Sequence, residues 1–211
     1  MSHYLSITFI VAILLLGIGC MPNTQTESTA EETEADVSAK GEMYEVMTDK
    51  SGIEWTGAKL TEKHKGTLDL AEGKVWIENG KLTGGRFILN MNSIQVMDLS
   101  GKDREDLETH LKDTDFFETE AFPTGKFVIL TVSEKADEVF THELSGNLTL
   151  KGVTHRVTMP AVIRIDSEGM VANASLSIDR SRWGIVYKGR LDNVIQDDIY
   201  LSLMIQAKKS E

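Results

Sequence analysis

From Met43 onward, apolar and polar residues alternate with a period of two, the spacing of a strand that buries one face. Leu144, Gly146, Leu148 and Leu150 fall on one side of the clearest run, with Ser145, Asn147 and Thr149 on the other. The same alternation runs through Val157, Met159, Ala161, Ile163 and Ile165, and again through Met170, Ala172, Ala174, Leu176 and Ile178. Near the C-terminus it returns in Ile199, Leu201, Leu203, Ile205 and Ala207. Glu72-Gly73, Asn79-Gly80 and Ser167-Glu168-Gly169 carry turn chemistry between such runs. The pattern predicts an all-β domain of about eight to ten long antiparallel strands, each half apolar, which must pack or close. Closure removes exposed edges. A barrel of about eight strands is the size at which side chains either fill the interior or leave room for one elongated ligand.

One stretch departs from this period. Asp103 to Lys112 places Leu107 and Leu111 four apart, with acids early and a lysine late, which predicts a short helix. Asp115-Phe116-Phe117-Glu118 and Ala121-Phe122-Pro123 follow it. Three phenylalanines in seven residues are dense for a connecting segment. They either plug one end of the barrel as core or form the rim of an apolar pocket.

The two ends of the profile differ from the rest. Leu5 to Ile18 is apolar apart from Ser6, Thr8 and Gly17 and carries no charge. It is short for a spanning helix of about 20 residues and suits the core of a signal peptide. It stops at Gly17-Ile18-Gly19-Cys20, which resembles the lipobox of bacterial lipoproteins, where the cysteine thiol takes a diacylglycerol. Gly17 stands where that pattern usually has Leu, and Met1 to Tyr4 hold no Lys or Arg. The alternative is an uncleaved anchor helix with a buried cysteine. Residues 21–42 hold six acids, one lysine and six Ser or Thr, too little apolar surface to offset ordering. The predicted organisation is a lipoprotein-type leader over 1–20 with lipidation at Cys20, an acidic tether over 21–42, and a barrel over 43–211. The chain's net charge of −11 argues against nucleic acid or an anionic surface as partner. A single cysteine excludes a disulfide framework and a thiolate zinc site.

Several motifs stand in series. His64-Lys-Gly66 is followed by Gly84-Gly85-Arg-Phe87-Ile-Leu-Asn-Met91-Asn-Ser93-Ile94 and by Leu107-x-x-His110-Leu111-Lys-x-x-Asp115-Phe116-Phe117. Phe122-Pro123-x-x-x-Phe127, Gly146 to Thr154 and Asp179-Arg180-Ser-Arg-Trp183-Gly184-Ile185 complete the series. In this order and spacing they resemble the YceI-like family of bacterial extracytoplasmic proteins over about residues 43–209. That resemblance implies a lipocalin-like, extended antiparallel β-barrel that holds a polyisoprenoid, an isoprenoid quinone or another long amphiphile in an apolar cavity. It assigns to the cavity wall Trp55, Phe87, Leu89 and Met91 from the early strands, and Leu111, Phe116, Phe117, Phe122 and Phe127 from the helix and the segment after it. Leu148, Leu150, Leu176 and Ile178 join them from the later strands, with Arg180 and Trp183 beyond. Gly146, Ala161, Ala172 and Ala174 on inward positions either leave space open or face bulky partners in a filled core.

Polar candidates are few. Arg180 shares the parity of Leu176 and Ile178, so it points inward if the strand runs that far. It then needs a carboxylate or a ligand oxygen as partner. His64 and His110 read first as surface or satisfied histidines, and Trp55 and Trp183 as packing residues that also reach the wall. There is no nucleophile elbow, phosphate loop or HExxH, and the histidines lack metal-ligand spacing. The sequence therefore predicts a non-catalytic carrier in the bacterial cell envelope, periplasm-facing or anchored to the outer membrane through Cys20. It predicts no cofactor or metal and leaves a homodimer open. An enzyme modifying such a lipid and a filled structural or stress-response barrel are the rival readings.

Overall fold

The computed structural model describes residues 39–190 and 193–210. The leader and nearly all of the predicted tether lie outside the described residues. In chain order the strands are β1 (Glu42–Val46), β2 (Gly52–Lys59), β3 (Lys63–Leu68), β4 (Leu70–Glu78), β5 (Lys81–Asn90) and β6 (Gln95–Val96). Helix α1 (Gly101–Lys112) leads into β7 (Thr124–Glu134), β8 (His142–Leu150), β9 (Val153–Asp166), β10 (Gly169–Asp179), β11 (Gly189–Arg190) and β12 (Asn193–Lys209).

Among the described residues these segments form eight staves. β1 and β2 pair with successive stretches of β12, Val46 opposite Ala207 and Ile53 opposite Leu203. A 3-10 turn over Thr48–Lys50 joins them. Asp69 alone separates β3 from β4, and β5 with β6 lies along that stave in turn. β7, β8, β9 and β10 follow as antiparallel neighbours, and β12 returns to β1 and β2 to close the ring. The expected barrel, lipocalin-like and all-β with one short helix, is what the chain forms.

Inside and outside follow the alternation. Met170, Ala172 and Ile178 are buried while Val171, Asn173, Ser175 and Ser177 face solvent. Leu144, Leu148, Leu150, Val157, Met159, Ala161 and Ile163 are buried likewise. Two boundaries shift. The helix starts at Gly101, whose φ of +58° is left-handed backbone that no apolar pattern announces. The barrel also takes in the end of the predicted tether. The Thr83 hydroxyl donates to the Lys40 carbonyl and accepts from its N–H, and Glu42 already pairs with Ile77.

The interior is not uniformly open. A side chain at Gly146 would lie 2.3 Å from the Val128 carbonyl and 2.7 Å from the Phe127 ring. That glycine makes room for a phenylalanine, not for a ligand. Ala172 and Ala174 do border open space, described below.

Gly66 is the tightest backbone approach on β3. A Cβ there would sit 1.8 Å from the Gln95 carbonyl and 2.5 Å from the Trp55 ring, so β6 and the indole both depend on its bare face. Gly66→Ala should lower stability by about 2–3 kcal/mol, the cost of overpacking against backbone. At Gly52 an added methyl would meet nothing within 4 Å, and Gly52→Ala should change stability by less than about 0.5 kcal/mol. Urea unfolding followed by tryptophan fluorescence measures both.

Candidate functional site

The strand ends fix where the site lies. The C-terminal ends of β2, β5, β8 and β10 and the N-terminal ends of β3, β7, β9 and β12 share one end of the barrel. Helix α1 and residues 113–123 lie over that end. Glu108 of the helix accepts the Val96 N–H at 2.9 Å, tying α1 to β6. The chain then folds back through Phe117 N–H to the Leu111 carbonyl and Glu118 N–H to the Asp113 carbonyl, with Glu118 at a φ of +50°. The β8–β9 turn holds this roof in place. Lys151 and Gly152 both have positive φ, and the Lys151 ammonium reaches the Thr114 carbonyl at 3.2 Å and the Glu118 carboxylate at 3.3 Å.

Beneath the roof is a cavity of about 310 Å3. Its wall includes Trp55, Leu89, Met91, Leu111, Phe116, Phe117, Leu148, Leu150, Ile178 and Arg180 from the sequence-predicted set. A second cavity of about 70 Å3 lies deeper, bordered by Phe87, Phe127 and Leu176 among others. The two share Ile53, Leu89, Leu148 and Leu201. In the deeper half, Phe87 and Phe127 stack with centroids 6.3 Å apart.

Two predicted wall residues stand elsewhere. Phe122 packs on the β8–β9 turn, its ring 3.3 Å from where a Gly152 side chain would begin. Trp183 is fully buried, but its indole N–H donates to the Leu148 carbonyl at 3.1 Å and its ring meets His155 edge-on. A 3-10 turn over Arg180–Trp183 replaces the end of the strand, so strand parity no longer applies at Trp183. The wall also holds residues outside the predicted set. Ile199 and Leu201 lie on the inward side of an alternating run, a signal that could have found them. Tyr187, Asn193 and Gln196 also line the cavity, and no periodic signal marks them.

Both histidines read as surface groups line the upper cavity. His64 stands at the rim, its Nδ1 3.0 Å from Asp98 and its Nε2 3.7 Å from Glu62. His110 lies against Phe116 and Tyr187, with ring centroids 5.6 and 4.6 Å away. Arg180 reaches inward as its parity predicts, and its side chain is wholly buried. It donates through Nε to the Gln196 carbonyl at 3.2 Å and through Nη1 to the Ile185 carbonyl at 2.7 Å, with Asp197 3.0 Å from Nη2. Burial pushes the guanidinium below its usual range, opposed by Asp197 and Asp179. It stays charged all the same. Lys59, Tyr187 and Asn193 complete the rim, and Leu60, Met97 and Val186 beside it are 60–68% exposed.

Asp98 positions the rim histidine. It also accepts the Lys65 N–H at 3.0 Å. Burial raises its carboxyl, but the Lys65 amide and His64 outweigh that and hold it below the ordinary carboxylate range. A depressed carboxylate stabilises the fold fully above its unfolded value of about 4, and that share is lost as pH falls through the lower folded value. Asp98→Asn should therefore flatten the acid limb of stability. Urea midpoints should fall less between about pH 5 and pH 3 in the variant than in the parent. An identical slope in both would remove Asp98 from the acid response.

Comparison with known proteins agrees with this architecture. The YceI-like domain matches residues 44–207. A UPF0312 protein of Shewanella denitrificans is 30% identical over 96 residues, 46% of this chain and 47% of its own. That match thus spans about half the length of the curated relative. Among solved structures, Burkholderia cenocepacia BcnA is similar with a TM-score of 0.65 at 17% identity, covering 77% of this chain and 99% of its own. A polyisoprenoid-binding domain from Saccharophagus degradans, implicated in plant cell wall breakdown, has a TM-score of 0.55 at 13% identity, covering 79% and 98%. The YceI protein of Campylobacter jejuni has a TM-score of 0.50 at 19% identity, covering 67% and 84%. With its matched domain spanning nearly the whole barrel, this chain belongs to the YceI-like family.

Proposed function

We propose that this chain binds, sequesters or ferries a long-chain isoprenoid or similar amphiphile in the bacterial cell envelope, without chemistry of its own. The observation that carries the reading is the upper cavity of about 310 Å3, walled by leucine, isoleucine, methionine and aromatic side chains. Apolar wall left facing solvent forgoes the stability that its burial would return. A lipid tail returns about 25 cal/mol for each Å2 it removes from water, and the volume lies within the range of ligand sites. The exposed Leu60, Met97 and Val186 at the rim suit the passage of an apolar ligand. A structural neighbour described as polyisoprenoid-binding supports the ligand class. The leader-like segment ending at Cys20 supports the location.

The decisive experiment expresses the full chain in a bacterial envelope and extracts the purified protein with organic solvent for mass spectrometry. Cys20→Ser serves here to avoid detergent. A stoichiometric amphiphile, recovered chemically unchanged, is the expected result. A chemically altered lipid would favour an enzyme. A clean extract from folded protein, still empty after exposure to envelope lipids, would indicate a barrel with another role.

Two variants sharpen the reading. Leu201 is half-buried and borders both cavities. Leu201→Trp should fill the junction and reduce lipid uptake at least about tenfold while circular dichroism still reports a folded barrel. If Cys20 carries the anchor, Cys20→Ser moves the protein from the membrane fraction to the soluble envelope fraction.

A further inference from the structure

Among the described residues, three of the four most exposed large apolar side chains stand at the roofed end of the barrel. Leu60 is 68% exposed, Val186 62% and Met97 60%. They come from separate segments that are tied together. Leu60 lies in the β2–β3 turn, whose Thr61 hydroxyl bonds the Asn193 side-chain oxygen at 3.2 Å, where β12 begins. Two residues after Val186, the Lys188 carbonyl accepts the Ile195 N–H of that same strand at 3.0 Å. Asp98, next to Met97, holds His64 of β3. None of the three apolar side chains lines either cavity, so a ligand inside would not cover them. Tyr187 connects them to the mouth, since it is part exposed and also lines the upper cavity.

The chain is acidic overall, but its charge is unevenly spread around this patch. Lys59, Lys63 and Lys65 flank Leu60, and Lys188 follows Val186. Lys59 pairs with Glu62 at 2.9 Å and Lys188 with Asp197 at 2.7 Å. Lys63 and Lys65 are exposed, and their ammonium groups meet no carboxylate among the described residues. A second copy of the chain would bring these like charges together. A bilayer suits them better: apolar tips enter the acyl boundary while lysine stems carry their charges back to the phosphates. A tyrosine between the two favours the same boundary. Asp103, Glu105 and Asp106 of α1 adjoin the Met97 side, and anionic heads repel them. The β2–β3 turn and residues 186–188 therefore lead.

The chain before the barrel is long enough to permit this orientation. Twenty-one residues separate Cys20 from Glu42, and fully extended they span at most about 70 Å. β10, which runs from the base to the roofed end, has eleven residues, about 36 Å of strand. An anchor at Cys20 and the barrel mouth can thus meet one membrane, although the chain enters the barrel at the opposite end.

We infer that the β2–β3 turn and residues 186–188 dock the barrel, mouth first, on a bilayer surface that carries anionic lipid. Leu60 and Val186 enter the acyl boundary, and Lys63 and Lys65 lie at the phosphates. This goes beyond the lipid-binding reading and names the surface on which the cavity opens to a membrane.

The test uses the full chain with Cys20→Ser, so that each introduced cysteine is unique. A nitrobenzoxadiazole label is placed through Leu60→Cys or Val186→Cys, and through Val139→Cys as a control. Val139 is as exposed, at 65%, but lies in the β7–β8 loop at the base. With vesicles of phosphatidylcholine and phosphatidylglycerol in equal parts, the two mouth labels should gain emission at least about twofold and shift to the blue. The base label should stay as it is in water. Lys63→Gln with Lys65→Gln, or vesicles of phosphatidylcholine alone, should remove at least about half of that gain. Equal responses at mouth and base, or no response at the mouth, overturn the docking. So does an equal response to decanoate below its micelle concentration, which offers no surface. Solvent extraction of the parent protein, as above, shows separately whether the lipid-binding reading stands. The labels on the parent lysines carry the test should the double variant fail to fold.

Discussion

Closure of the barrel rests on β12, seventeen residues long, which pairs with β10 on one side and with β1, β2 and β11 elsewhere along its length. Its bonds to β1 and β2 join the two ends of the domain and turn an open sheet into a ring. Without them, two edges would be exposed and the apolar face would have nothing opposite it. The pairing is also the most distant in sequence among the strand pairs, with Tyr44 against Lys209, so loop-closure entropy must be offset before the ring yields any stability. Once closed, the backbone ring sets the interior diameter. A large side chain removed from the wall leaves space that the neighbouring staves are not free to collapse into.

Within that fixed ring the two halves are used differently. The deeper half brings Phe87 and Phe127 together and supplies Gly73, Gly85 and Gly146 as recesses for large side chains. That half is filled more fully than the upper one, around the smaller of the two cavities. The upper half is roofed by α1 and by Phe116 and Phe117, whose side chains line the cavity beneath. Bulky residues therefore occupy both ends of the long axis and leave the middle of the upper half open. The break of β10 into a 3-10 turn at Arg180 serves the same division. It buries a cation beside the open space and turns Trp183 away from it.

Much of the fold was legible because a half-buried strand writes its orientation into every second residue. The runs at 144–150, 157–165, 170–178 and 199–207 mark the staves and their inner faces without reference to any partner strand. The helix was legible from Leu107 and Leu111. Less of the site could be read, because its decisive parts leave the strand period. Tyr187 stands on an irregular segment, Trp183 follows a 3-10 turn, and His110 is placed by contacts with Phe116 and Tyr187, the latter far away in sequence. The inward parity of Arg180 could be read, but its company could not. Asp197 and the Ile185 carbonyl meet it only through the pairing of β10 with β12 and the turn between them. Gly146 shows the opposite limit. A small residue on an inner face has the same pattern whether it leaves room for a ligand or for a neighbouring ring.

The placement of the chain's first strand has a mechanical consequence. Glu42 begins β1 beside the β4–β5 hairpin, and β1 meets the last residues of β12, so the polypeptide joins the barrel at the end farthest from the roof. A pull on the preceding residues is borne by β1, in shear against β4 and β12, both of which it lies alongside. The roof, α1 and the β8–β9 turn carry none of that load directly. Tension applied there would load the base of the barrel, while the contacts that hold the roof stay outside the path of the force.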